Sequence, residues 1–121
     1  MTLRRGSLVL LHLANPTEKF WGTLESLEPV GVTLRGISLD SFEEWVNELA
    51  RKEPSGLGLA TMFVPLFRVE RIFLDEQVGE VESYRRRFER RVGDGLERHL
   101  RRSDAGPEPG GDDAVDDERV F

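Results

Sequence analysis

The chain has 121 residues, a length at which a single domain can bury a core without disulfides or metal. It contains no cysteine, which excludes thiol catalysis, disulfide frameworks and cysteine-based zinc sites. The net charge of -6 is uneven: residues 1–84 carry 8 basic and 13 acidic side chains (-5), residues 85–102 carry 8 arginines and 3 acids (+5), and residues 103–121 carry one arginine and 7 acids (-6). Local fields of this kind, more than the total, attract partners.

The opening MTLRRGSLVLLHLA puts Arg4 and Arg5 ahead of an apolar run. Leu8 to Ala14 is too short for a secretory signal, His12 interrupts it, and no segment is apolar for long enough to span a bilayer. The expectation is a soluble cytoplasmic protein with no membrane partner. Gly6 to Leu13 alternates, with Val9, Leu11 and Leu13 on one face and Leu8, Leu10 and His12 on the other, which predicts a strand covered in part on both sides. Asn15-Pro16-Thr17-Glu18 signals a turn. Phe20 to Leu27 predicts a second strand, with Phe20, Gly22 and Leu24 opposite Trp21, Thr23 and Glu25. After Glu28-Pro29, Val30, Val32 and Leu34 alternate with Gly31, Thr33 and Arg35 in a third. Glycine inside a strand marks a bulge, a bend or a close backbone approach. Gly22 is assigned to a bend of the second strand, Gly31 to the entry of the third and Gly36 to its end.

A helix is predicted over residues 40–53, from a capping box of Ser41 and Glu44 with Asp40 as a competing cap. Phe42, Trp45, Val46 and Leu49 form one apolar stripe on it. Pro54-Ser55-Gly56 stops the helix. Leu59 to Val64 predicts a fourth strand, Pro65-Leu66-Phe67 a tight turn, and Val69 to Leu74 a fifth strand. Residues 1–75 therefore predict a mainly β domain, a small closed or nearly closed barrel with an α-helix inserted between strands 3 and 4. Residues 76–102 predict a basic C-terminal helix running from Glu76 through at least Val92, with Val78, Val81, Phe88 and Val92 on one side and a break at Gly93-Asp94-Gly95. Residues 103–121, rich in Gly, Pro and acids, predict a disordered acidic tail.

KFWGTLESLEPVGVTLRG resembles the second and third strands of the Sm and Hfq-like barrels: Lys19, an apolar residue, Gly22 in a strongly bent second strand, then Leu24, Leu27, Glu28, and an aliphatic third strand ending in Arg35. MFVPLFRVERI resembles the closing strand, one-turn helix and last strand of that fold and of SH3-like barrels. The resemblance covers residues 6–37 and 59–74. It implies a five-stranded Sm-like (SH3-like) barrel, RNA as a partner and assembly into a homo-oligomer. The chain departs from the family where RNA would be held, with Glu28-Pro29-Val30-Gly31 and Val64-Pro65-Leu66-Phe67-Arg68 in the two turns. It also places its helices inside and after the barrel instead of before it. The family's RNA pockets are not carried over.

Two functional expectations follow. The leading one is non-catalytic binding of RNA or single-stranded nucleic acid, with Arg85, Arg86, Arg87, Arg90, Arg91 and Arg68 neutralising phosphates and Trp21, joined by Phe20 and Phe67, stacking on bases. Against it stands a solvated helix face in which Glu82, Glu89 and Glu97 offset the arginines. The alternative is a protein-interaction or scaffold module that has lost the RNA pockets and holds partners with Phe42, Trp45, Val46, Leu49 or the terminal Phe121. The acidic body, -5 over residues 1–84, favours this alternative. His12 and His99 fall in different elements, and no phosphate-binding glycine loop, Ser-His-Asp arrangement or carboxylate-histidine set is present. No enzyme activity, metal or cofactor is expected.

Overall fold

The computed structural model describes residues 3–54, 56–93 and 95–100. Alternating side chains build one antiparallel sheet from β1 (Leu8–Leu13), β2 (Glu18–Glu28), β3 (Gly31–Ser38), β4 (Ala60–Pro65) and β5 (Val69–Leu74), in the spatial order β4-β3-β2-β1-β5. Helix α1 (Leu39–Ala50) follows β3, and α2 (Tyr84–Val92) and α3 (Leu96–Leu100) follow β5. The protein is thus mainly β, a five-stranded antiparallel sheet with helices.

The two faces predicted for β1 and β2 are the two faces observed. Val9, Leu11, Leu13 and Leu24 join Val32, Leu34 and Val64 in one buried cluster, flanked by Phe20, Met62, Val69, Ile72 and Leu74. No helical residue belongs to that cluster, so the sheet itself must curl around these side chains to exclude water. A register shift between Leu24 and Ser26 against β3 supplies a bulge at which the long β2 can bend. On the opposite face Trp21 and Ile37 pack with Phe42, Trp45 and Val46 of α1, Phe88 of α2 and Leu96 of α3. The C-terminal helices therefore share a core with β2, β3 and α1.

Four expectations are corrected in detail. The sheet is open where the sequence predicts a barrel: among the described residues no ladder joins β4 to β5. The single 3-10 turn Leu66–Arg68 between them spends its backbone bonds elsewhere, Leu66 N–H donating to Val30 and the Arg68 carbonyl accepting from Ala14, so nothing draws the two strands into a hairpin. Gly36 does not end β3. It lies within the strand directly opposite Gly22, and a Cβ on Gly22 would stand 2.5 Å from the Gly36 Cα, so the pair serves a close backbone approach. Helix α1 is capped by Ser38, whose hydroxyl accepts from Asp40 N–H at 3.1 Å, ahead of the predicted Ser41 or Asp40.

The fourth correction concerns the basic helix, which starts at Tyr84 and not near Glu76. Gly79 has φ +60°, and Val78 and Val81 pair their backbones across a tight turn, so the valines that mimic a helical spacing sit in a loop. Ser83 caps α2 through Arg86 N–H at 3.0 Å. The Asp75 carboxylate adds two more bonds, from Tyr84 N–H at 2.8 Å and Arg85 N–H at 2.9 Å, where the helix dipole favours an anion. Gly93 (φ +100°) and Gly95 (φ +102°) then separate α2 from α3. The predicted acidic tail lies outside the described residues.

Candidate interaction surfaces

Helix α2 reads YRRRFERRV, with Phe88 as its one buried anchor and arginines around it. Four of the five arginines singled out in this helix are held by the protein's own acids and amides. Arg85 donates to Glu89 at 3.1 Å and Glu97 at 2.6 Å. Arg87 donates to Glu43 on α1 at 2.9 Å and lies 4.9 Å from the Tyr84 ring centroid. Arg90 pairs with Glu82, and this hydrogen bond is the main reason the Glu82 carboxyl titrates below its ordinary range. Arg91 donates to Asn47 Oδ1 at 2.5 Å. Arg86 is exposed, its side chain making no hydrogen bond or ion pair to a described residue, and it acts on Glu82 only by charge at longer range. This face is a lattice of ion pairs that ties α2 to α1, α3 and the preceding loop, and a phosphate would have to displace carboxylates to enter it.

The other predicted site residues are placed as follows. Trp21 is fully buried, its indole N–H donating to Asp75 at 3.0 Å, so it offers no face to a base. Arg68 donates to the carbonyls of Ala14 and Pro16, each at 2.8 Å, and to Glu18 at 3.2 Å, which makes it a brace for the β1–β2 turn in place of a phosphate contact. Phe42, Trp45 and Val46 are buried in the chain's own core and closed to a partner. Leu49 is half-buried at the edge of that core. Phe121 lies outside the described residues. Phe20 packs into the inner cluster, whereas Phe67 is 86% exposed.

Among the described residues an open surface lies at each edge of the sheet. At β4 the sequence ATMFVP carries no charge, and its outer main-chain groups have no strand partner among the described residues. Phe63 is 55% exposed there, its ring lying over Gly31, and Val30, Leu66 and Phe67 extend the apolar patch. At β5 an apolar cleft of about 350 Å³ runs between the edge and the loop 75–83, lined by Leu3, Leu10, Phe73, Val78, Val81 and Tyr84.

The strand register also assembles a basic row that the sequence does not announce. His12 is directly opposite Lys19 on β2 and directly opposite Arg71 on β5, so three basic side chains line up across one face. Phe73 packs edge-on to His12 at 4.9 Å, with the Arg71 guanidinium 5.9 Å from its ring. Burial first, then the charges of Lys19 and Arg71, hold the His12 imidazole below its ordinary pKa. Among the described residues no group of three or more His, Asp or Glu side chains could hold a metal ion, and no helix is long and apolar enough to cross a membrane. Comparison with family models, curated proteins and solved structures gave no match.

Proposed function

We propose that the chain is a non-catalytic interaction module with an Sm-like sheet, which associates with further copies of itself through its two open sheet edges. The strand order β4-β3-β2-β1-β5, the bulged β2 and the one-turn helix between β4 and β5 support the Sm-like reading. The observation that carries the association is β4: six uncharged residues at an unpaired edge, with Phe63 exposed beside them. Monomeric proteins blunt such edges with charge, proline or a covering element, because the row of free N–H and C=O groups templates another strand. Among the described residues the blunting here is confined to Pro65 at the end of the strand. Strand addition would satisfy those groups and give the exposed aromatic an apolar neighbour.

Light scattering coupled to gel filtration tests this over a range of concentrations. The full chain is expected to run well above its 13.8 kDa monomer mass, and a Thr61→Lys/Phe63→Lys variant to shift towards it. Both positions are exposed, so the variant keeps its core. A wild-type monomer at tens of micromolar would sink the reading.

A second reading, single-stranded nucleic-acid binding, is favoured by the Lys19–His12–Arg71 row beside Phe73. Two cations, Lys19 and Arg71, either side of a neutral His12 and next to an exposed ring suit phosphates and stacked bases. Binding to a random RNA at neutral pH should then weaken with salt by a log-log slope of about -1.4, as expected for two charged phosphate contacts, Lys19 and Arg71, on a single strand. It should be lost in Lys19→Glu/Arg71→Glu. Equal binding by that variant removes this second reading.

A further inference from the structure

A second cleft, of about 430 Å³, opens where α1, α2 and α3 converge, with Leu49 and Val92 as its apolar lining and Lys52, Arg98 and His99 around it. Neither Lys52 nor Arg98 forms an ion pair with a described residue, in contrast to Arg85, Arg87 and Arg90 of α2. Arg35 on β3, outside the lining, donates to the carbonyl of His99 at 3.5 Å, and its Nε is buried without a hydrogen-bond partner among the described residues. Among the described residues the cleft lining is thus cationic and includes no acid.

We infer that its occupant is the acidic segment of the same chain, residues 112–118. That segment reads DDAVDDE and carries Asp112, Asp113, Asp116, Asp117 and Glu118 around Val115. Its carboxylates match Lys52 and Arg98, and Val115 matches the lining of Leu49 and Val92. Reach is sufficient. Residue 112 follows Leu100 by twelve positions, a root-mean-square span of roughly 20 Å for an unstructured chain, and His99, one residue before Leu100, already lines the cleft. Tethering at this distance gives effective concentrations of the order of millimolar, so weak charge pairing is enough to populate the docked state. Two other surfaces fit this segment less well. Four of the five α2 arginines are already held by acids and amides, which leaves Arg86 alone, and the cleft at β5 is rimmed by Asp75, Glu76 and Glu82, which would repel it.

The absence of cysteine permits a single spin label in the full chain through Ala114→Cys. At low salt the nitroxide should strip most of the intensity from the backbone amide signals of Lys52, Val92 and His99, independently of tenfold dilution. The loss should disappear in Lys52→Glu/Arg98→Glu, in a chain with Asp112, Asp113, Asp116 and Asp117 changed to Asn, and in 1 M salt, where the screening length is about 3 Å. Both cleft cations are exposed, so the first variant should keep the remaining amide spectrum. Full intensity at the cleft in the wild type overturns the inference. Broadening that persists in the cleft variant overturns it as well, and broadening that falls on dilution assigns the cleft to a second copy and overturns the intramolecular occupant.

Discussion

Trp21 donates its indole N–H to the Asp75 carboxylate at 3.0 Å, and this one contact joins the middle of the sheet to the start of α2. The same carboxylate accepts Tyr84 and Arg85 N–H, so three donors converge on one side chain. Removing it leaves a buried indole N–H unsatisfied and two helix N–H groups uncapped. Asp75→Ala should therefore cost about 2–4 kcal/mol, with Asp75→Asn at about half that because the amide oxygen can still accept. Urea denaturation followed by tryptophan fluorescence reads both. A cost below about 0.5 kcal/mol for Asp75→Ala, the level of an inconsequential surface change, would show that the contact does not hold the helical layer to the sheet.

Gly22 and Gly36 face each other across the β2–β3 ladder with no room for a side chain on either. Gly22→Ala forces a methyl group against the Gly36 Cα and the Arg35 carbonyl, which are backbone and can give way only by displacing β3. The expected loss is about 1–3 kcal/mol or more. Gly56→Ala is the matched control, since a Cβ there meets nothing within 4 Å, and should change stability by less than about 0.5 kcal/mol. Equal effects at the two positions would contradict the close-approach assignment.

The parts of the fold legible in the sequence are those fixed by local alternation. Val69 to Leu74 is read at its true bounds because Pro65 and a single turn isolate it, and the faces of β1 follow from Val9, Leu11 and Leu13 alone. Apart from the Ser38 cap, which is local, what fails mostly depends on partners distant in sequence. Val78 and Val81 have helical spacing, yet the acceptor that fixes the start of α2 is Asp75, itself pinned by Trp21 54 positions earlier. Arg87 and Arg91 read as a phosphate face because Glu43 and Asn47, which engage them, lie 44 positions away. The Lys19–His12–Arg71 row comes from strand register, with one ordinary residue contributed by each of three strands.

Neighbouring arginines on α2 should differ in consequence. Arg87 bridges to Glu43 on α1 and lies over Tyr84, so Arg87→Ala loses a partly shielded ion pair and a cation–π contact, together about 1 kcal/mol. The Arg86 side chain makes no hydrogen bond or ion pair to a described residue, and Arg86→Ala should fall within about 0.5 kcal/mol of wild type. The Arg87 effect should shrink in high salt as the pair is screened. A larger loss at Arg86 than at Arg87 in chemical denaturation would mean that the ion-pair lattice does not join α1 to α2.

Both histidines are held below the ordinary imidazole value of about 6.5, His99 by burial and then by Arg98, His12 by burial and then by Lys19 and Arg71. His99 also packs edge-on against Trp45 and within 5.8 Å of the Phe88 ring centroid, where a charged ring would be poorly solvated. A base whose folded pKa is depressed binds fewer protons folded than unfolded in the interval between the two values. Stability therefore rises with pH through that interval, is complete above about pH 6.5, and is lost as pH falls towards the folded value. Proton-detected titration of the two imidazoles should give midpoints below 6.5 for both. The denaturation midpoint should fall between pH 7 and pH 5, and His99→Gln should flatten part of that slope. An unshifted His99 midpoint, or a pH slope unchanged in His99→Gln, would remove the imidazole from the helical core's acid sensitivity.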